Sequence, residues 1–138
     1  MDLGKALTWA ATRKHGALIT IRKDGRPQSS DIIYLVDGDS FLISLTDDRA
    51  KTRNIRRDPR VVLHLSHPES WSYLSFDGTV ELSEITTSPH DATSDRLVEY
   101  YRAMAGEHDD WDDYRQAMIN EKRLIATFTP RSVVGQIN

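Results

Sequence analysis

The stretch ALITIRKDGRPQSSDIIYLVDGDSFLISLT, residues 17–46, decides the fold class. Its apolar runs ALITIR (17–22), QSSDIIYLV (28–36) and FLISLT (41–46) are short, with β-branched residues prominent among their apolar positions, as strands are. Between them stand two turn signals, Lys23-Asp24-Gly25-Arg26 and Asp37-Gly38-Asp39-Ser40. Asp-Gly supplies the positive φ that a tight hairpin turn requires. The reading is a three-stranded antiparallel meander.

The same punctuation continues on both sides. Asp47 or Asp48 is the expected cap of a short helix running to about Arg57. Asp58-Pro59 ends it, because proline pushes the preceding residue out of the α region. RVVLHLS (60–66) and WSYLSFDGTVELS (71–83) read as strands, with Asp77-Gly78 as a bend or bulge. A polar linker, EITTSPH (84–90), leads to helices at about 91–105 and 110–121. RLIATFTP (123–130) is the next strand and VVGQI (133–137) a short edge strand. Upstream, residues 3–14 read as a helix capped by Asp2, with Leu3, Leu7 and Ala10 on one face and Gly16 as its stop. The sum is one mainly β domain, residues 1–138, with six or seven mostly antiparallel strands and peripheral helices. Antiparallel sheets with glycine bends tend to close into barrels.

Composition narrows the function. The 138 residues include no cysteine, which excludes disulfides, thiol nucleophiles and Cys-type zinc sites. No apolar run approaches the roughly 20 residues of a membrane span, and MDLGKALTWAATRK lacks the pattern of a signal peptide. The expected location is the cytoplasm.

Charge is concentrated. Segment 49–60, RAKTRNIRRDPR, holds six basic residues against the single acid Asp58, a local charge of +5, while the rest of the chain carries −8. The pI is about 5.9. Nucleic-acid domains spread basic charge over a face and reach a high pI, so the expected partner is a small anion such as a phosphate, and not a nucleic acid. Thr46, Arg49, Lys51, Thr52 and Arg53 fall at a strand end and the first turns of a helix. Free backbone N–H groups, the helix dipole, hydroxyls and cationic side chains converge there. A solvated basic helix face is the competing reading.

Other motifs carry less. His64 and His67 point to opposite faces of a strand and have no third ligand nearby, so no metal site is assigned. The acids of 107–113 lack the spacing of a calcium loop and suit a helix N-terminus. His108 among them reads as a surface residue. Trp71 and Tyr73 alternate along a strand and suit a stacking platform, a core or a dimer interface. Ser29, Ser30 and Asp31 have no histidine in a sensible relationship, so no hydrolytic triad is assigned.

The succession DGRPQSS, TDDRAKTRNIRRDPRVVLHL, WSYLSFDGTVEL and YYRAMAGEHDDWDDYRQAM resembles the flavin/deazaflavin oxidoreductases, split β-barrel relatives of pyridoxamine 5′-phosphate oxidase. The resemblance runs from about Leu18 to Val134. GEHDDWDDYRQAM is similar in particular to the group that uses the deazaflavin coenzyme F-420. The resemblance implies a six- to seven-stranded antiparallel split barrel and a homodimer with two cofactor sites at the subunit interface. It implies that Arg49, Lys51 and Thr52 hold the cofactor phosphate, with Ala50 and Arg53 beside them and Asn54 in support. Pro27, Gln28, Ser29, Ser30 and Asp31 would lie along the isoalloxazine-like ring, with Thr46 under the ribityl chain. Trp71, Ser72 and Tyr73 would come from the facing subunit or flank the phosphate-side pocket. Relatives often carry Asn at the position of Asp31.

The implied activity is a coenzyme F-420-dependent reduction, a hydride passing to an activated double bond or similar small organic acceptor. No nucleophile is needed, and Tyr73 is the one candidate proton donor among the side chains, beside water. Coenzyme F-420 carries a phosphodiester and an oligoglutamate tail, for which Arg56, Arg57 and Arg60 are the candidates. Two alternatives stay open: an FMN-dependent pyridoxamine-phosphate-oxidase-like enzyme, and a non-catalytic barrel that stores a cofactor or binds haem.

Overall fold

The computed structural model describes all residues, Met1–Asn138. The order is α1 (Leu3–Ala10), β1 (His15–Ile21), β2 (Pro27–Ile33), β3 (Leu35–Asp37), β4 (Ser40–Thr46), α2 (Ala50–Arg57), β5 (Arg60–His67), β6 (Ser72–Leu82), α3 (Ala92–Ala105), α4 (Trp111–Asn120) and β7 (Arg123–Gln136). The seven strands form one antiparallel sheet in the order β2-β1-β5-β6-β7-β4-β3. The sheet curls into a half-barrel that brings β2 back against β4.

The seam lies at Tyr34. The sequence reads 28–36 as one strand in a meander, but the chain breaks at Tyr34 and passes from one edge of the sheet to the other. β1–β2 and β3–β4 are separate hairpins, and β2 and β4 share no ladder. Tyr34 is buried, its hydroxyl donates to Ala10 O at 2.7 Å, and burial raises its pKa. Its ring packs edge-on against Phe41 at 5.2 Å, and Phe41 meets Phe76 at 5.0 Å and Phe128 at 5.7 Å. Such pairs add about 0.5–1.5 kcal/mol each beyond area burial, and here they fill the barrel beneath α1.

Two other expectations, on α1 and on the last strand, are corrected, and the expected bulge at Asp77-Gly78 is found. Helix α1 ends at Ala10, and Gly16 lies within β1 beneath the Leu63 and Leu65 side chains, where a Cβ would collide. Residues 123–136 are one central strand, not a strand and an edge piece. The register shift opposite Asp77-Gly78 places the extra residue, Arg131, on β7. Leu124, Ala126 and Phe128 face inward before it and Val133 after it, a switch from even to odd positions that one inserted residue produces. Pro130 is tolerated there because β4 pairing stops at Phe128. Gly78 is required because Thr129 O and Pro130 Cα occupy the space of a Cβ.

Helices α3 and α4 form a satellite layer on β7 around buried Leu97, Val98, Tyr114 and Ile125. Asp91 and Asp110 cap them by accepting from Ser94 N and Asp113 N. His108 is half-buried beside Tyr101, Trp111 and Tyr114, with ring centroids 5.2–5.6 Å away. It is therefore a packing residue rather than a free surface group. No helix is long and apolar enough to cross a membrane.

Candidate functional site

Helix α2 starts later than its acids suggest. Its N-cap is Arg49, without a side-chain cap, and neither aspartate serves as one. Asp47 pairs with Arg56 at 2.5 Å, and Asp48 O accepts from Arg53 Nη1 at 2.8 Å. The first intrahelical bonds run from Thr52 N and Arg53 N to Arg49 O, which leaves the preceding N–H groups of Ala50 and Lys51 at the open helix end. The buried Thr52 hydroxyl donates to Thr46 O at 2.7 Å. Thr52 thus fixes the loop and presents no hydroxyl to solvent.

Asn54 is the clamp. It is buried, and its Nδ2 donates to Thr20 Oγ1 at 3.1 Å and to Gln28 Oε1 at 2.9 Å. This ties α2 to β1 and to edge strand β2. One edge of β2 is unpaired, so its outward backbone groups are free to bond a planar ligand.

These elements bound two clefts that share Arg49 and Lys51. The first, about 340 Å³, is completed by Gln28, Ser30, Asp31 and Ala50. The second, about 180 Å³, is completed by Ser44, Leu45, Thr46 and Arg123. The side chains of Arg49 and Lys51 take part in none of the nine ion pairs and none of the side-chain hydrogen bonds. Burial pushes the Lys51 ammonium below its ordinary pKa, and Arg49 and Arg123 push it further. Thr46 Oγ1 is buried without a partner.

Arg123 is absent from the sequence reading. It opens β7 directly opposite Thr46 across the β4–β7 ladder. Its Nε and Nη2 donate to Glu121 Oε1 at 3.0 and 2.9 Å, and Nη1 lies 3.5 and 3.4 Å from Ser44 O and Oγ. The available signal was one arginine heading an otherwise apolar strand, and only the ladder reveals its neighbour.

The remaining candidates lie elsewhere. Pro27 lines a separate cleft of about 340 Å³ on the outer sheet face, with Ile19, Ile21, Val62 and Arg60. Trp71 sits in a turn, not on the strand, with φ +61° and 79% of its surface exposed. Ser72 is buried, its hydroxyl accepting from Ser70 Oγ at 2.9 Å and Asn138 N at 2.8 Å, so it is enclosed in its own chain. Tyr73 is exposed and stacks on His64 at 5.9 Å. Trp71, Ser72 and Tyr73 line neither cleft. Of the arginines considered for an anionic tail, Arg56 is paired with Asp47, and Arg60 with Asp58 at 2.8 Å. Arg60 also holds the Asp58 carboxyl down at about 2. Arg57 makes only a 3.4 Å contact with Asn54 Oδ1. No group of three or more His, Asp or Glu side chains is placed to hold a metal ion.

A curled antiparallel half-barrel of this strand order, with a basic helix start beside an open edge strand, is a β-rich split barrel. The chain belongs to the pyridoxamine 5′-phosphate oxidase family, whose model matches residues 5–135. It is similar to a solved F420 reductase at 26% identity and a TM-score of 0.66, over 89% of this chain and 90% of that one. A conserved hypothetical protein of Mycobacterium tuberculosis matches at 22% identity and a TM-score of 0.75, over 98% and 84% of the chains. HutZ, the haem storage protein of Vibrio cholerae, matches at 14% identity and a TM-score of 0.69, over 98% and 95%. These last two share the fold.

Proposed function

We propose that this protein is a coenzyme F-420-dependent reductase acting on an activated double bond or similar small organic acceptor. The observation that carries the reading is the pair of unpartnered cations, Arg49 and Lys51, at the open end of α2 beside the free edge of β2. The residues fit the cofactor: cations and free N–H groups suit its phosphodiester, and Thr46 brings a buried hydroxyl without a partner. Likeness to the F420 reductase supports the deazaflavin over FMN.

When bound, the reduced deazaflavin supplies the hydride. Arg49 and Lys51 anchor its charged end, and the outward edge of β2 orients the ring. Gln28 is held by Asn54 through Oε1, which leaves its Nε2 to donate into the first cleft. Arg56 and Arg60 are neutralised within the chain, so the tail meets Arg53 and Arg57 at the helix surface.

The same reading makes the protein a homodimer. The outer face of β1, β2 and β5–β7 carries Ile19, Ile21 and Val62, with Ile33, Tyr73 and Val134 exposed. An apolar sheet face of this extent suits cover by a second copy. Trp71 and Tyr73 then belong to the partner's site, with Tyr73 the proton donor. Positive φ at a tryptophan costs about 1–3 kcal/mol and tends to persist at functional positions.

The test is turnover. Purified protein mixed anaerobically with reduced coenzyme F-420 and cyclohex-2-enone should restore the absorption of the oxidised deazaflavin. Oxidation of pyridoxamine phosphate with FMN, and none of reduced coenzyme F-420, would contradict the proposal.

A further inference from the structure

We infer that Tyr100 is a positioning residue that sets how far along β2 the cofactor ring reaches; the inference rests on the cofactor reading above and fixes the register within it. Hairpin parity is the first argument. Antiparallel partners alternate between pairs that exchange main-chain hydrogen bonds and pairs that exchange none. At one end of β1–β2, Arg22 N donates to Arg26 O at 2.8 Å, and at the other Tyr34 N donates to Lys14 O at 2.9 Å. Between them the bonded pairs are Thr20 with Gln28, Leu18 with Ser30 and Gly16 with Ile32. The N–H and C=O groups of Ser29, Asp31 and Ile33 therefore point away from β1, to the open edge. Pro27 shares their parity and has no N–H to offer.

The far end of this row is already occupied. Tyr100, on α3, donates from its hydroxyl to Ile33 O at 3.2 Å. Parity also settles the facing strand. Asp47 N donates to Lys122 O at 2.9 Å, so Ser44 falls in an unbonded pair with Ile125 and turns its N–H away from β7. β3 pairs with β4 only as far as Leu42, so no strand takes that N–H. It faces the Tyr100 hydroxyl instead: burial raises the Tyr100 pKa, and the Ser44 main chain and Arg123 pull against the rise. One phenol thus bridges β2 and β4 where no ladder joins them. Its ring packs against the cluster of Leu97, Val98, Tyr114 and Ile125, which fixes it to the α3–α4 layer.

The consequence is a row with two defined ends. Asn54 ties Gln28 at the start of β2, and Tyr100 ties Ile33 at its end. Between these ties Ser29 and Asp31 each offer an N–H and a C=O to the adjoining C=O and N–H groups of a pyrimidine edge. A ring shifted one step further would meet an Ile33 carbonyl that Tyr100 already holds.

The experiment compares the full chain with Tyr100→Phe, which keeps the packing and deletes the hydroxyl. Riboflavin, FMN, coenzyme F-420 and inorganic phosphate are titrated into each, and the visible circular dichroism of the bound ring is recorded at saturation. Tyr100→Phe should weaken the three ring compounds alike, by about threefold to tenfold, and leave inorganic phosphate within about twofold. The circular dichroism of the saturated variant should differ from that of the wild type, because the freed Ile33 carbonyl lets the ring slide; a loss of stability alone would not alter it. An unchanged ring affinity, an unchanged spectrum at saturation, or a loss shared equally by phosphate would each overturn the assignment and leave the cofactor reading standing. A wild-type chain that binds none of the ring compounds would overturn the cofactor reading and the assignment together.

Discussion

Asn54 Nδ2 donates to Gln28 Oε1 at 2.9 Å, which joins the helix proposed to face the anion to the strand proposed to face the ring. Gln28 is 26 residues upstream, and the same amide reaches Thr20 on the neighbouring strand at 3.1 Å. One buried amide thereby links the two halves of the candidate site.

Asn54→Ala should destabilise the protein by about 1–3 kcal/mol, because it strands buried polar partners. Urea unfolding measures this, and cofactor affinity should fall in parallel. A loss no larger than that of the exposed Arg53→Ala would show that the clamp is incidental.

Lys51→Ala should weaken cofactor binding by about 1.5–3 kcal/mol, the scale of a hydrogen bond to a charged group. Arg57→Ala should cost less, since Arg57 is exposed near the helix end. Isothermal titration of both variants decides, and equal losses would misplace the phosphate.

Lys51 also predicts a trade against stability. Its folded pKa lies below the ordinary lysine value, so the unfolded chain binds more protons in the window between the two. Stability of the cofactor-free protein should therefore rise with pH through that alkaline window. Lys51→Met should remove this slope and stabilise the neutral-pH protein by less than about 1 kcal/mol, because solvent screens a side chain that is only partly buried. Urea unfolding of both proteins at neutral and alkaline pH tests it. A less stable Lys51→Met protein at neutral pH would contradict the argument.

The sequence was most legible where the signal is local. Asp-Gly turns, the proline stop after α2, the bulge region at Gly78 and the α3–α4 pair follow from neighbouring residues. The passage of the chain at Tyr34 between the two sheet edges does not, because a strand and a strand with a corner share one apolar pattern. The basic segment was visible as charge, yet charge alone could not separate Arg49 and Lys51 from Arg56 and Arg60. That depended on where Asp47 and Asp58 lie. Arg123 needed the β4–β7 ladder, which pairs residues as far apart in sequence as Thr46 and Arg123.

Gly78→Val should destabilise by about 1–3 kcal/mol or more, since overpacking at a fixed backbone forces a shift. The obstacle is the Thr129 carbonyl and Pro130 Cα rather than a mobile side chain. Thermal unfolding reads the effect, and an unchanged midpoint would place the bulge elsewhere.

The proposed dimer should scatter light with twice the 15.7 kDa chain mass at micromolar concentration. Val134→Asp, on a residue 64% exposed on the outer face, should shift it toward the monomer. A wild-type monomer would remove the second subunit from the site.

The central claim is that Arg49 and Lys51 serve a multiply charged deazaflavin. Its most direct test compares dissociation constants for FMN and for coenzyme F-420 with short and long glutamate tails, at low and high salt. The account predicts tighter binding of coenzyme F-420 than FMN at low salt. Exposed tail contacts contribute only about 0.2–1 kcal/mol each, and screening over about 8 Å at physiological ionic strength should narrow the gap as salt is added. FMN binding more tightly than every deazaflavin form at both salt concentrations would contradict it.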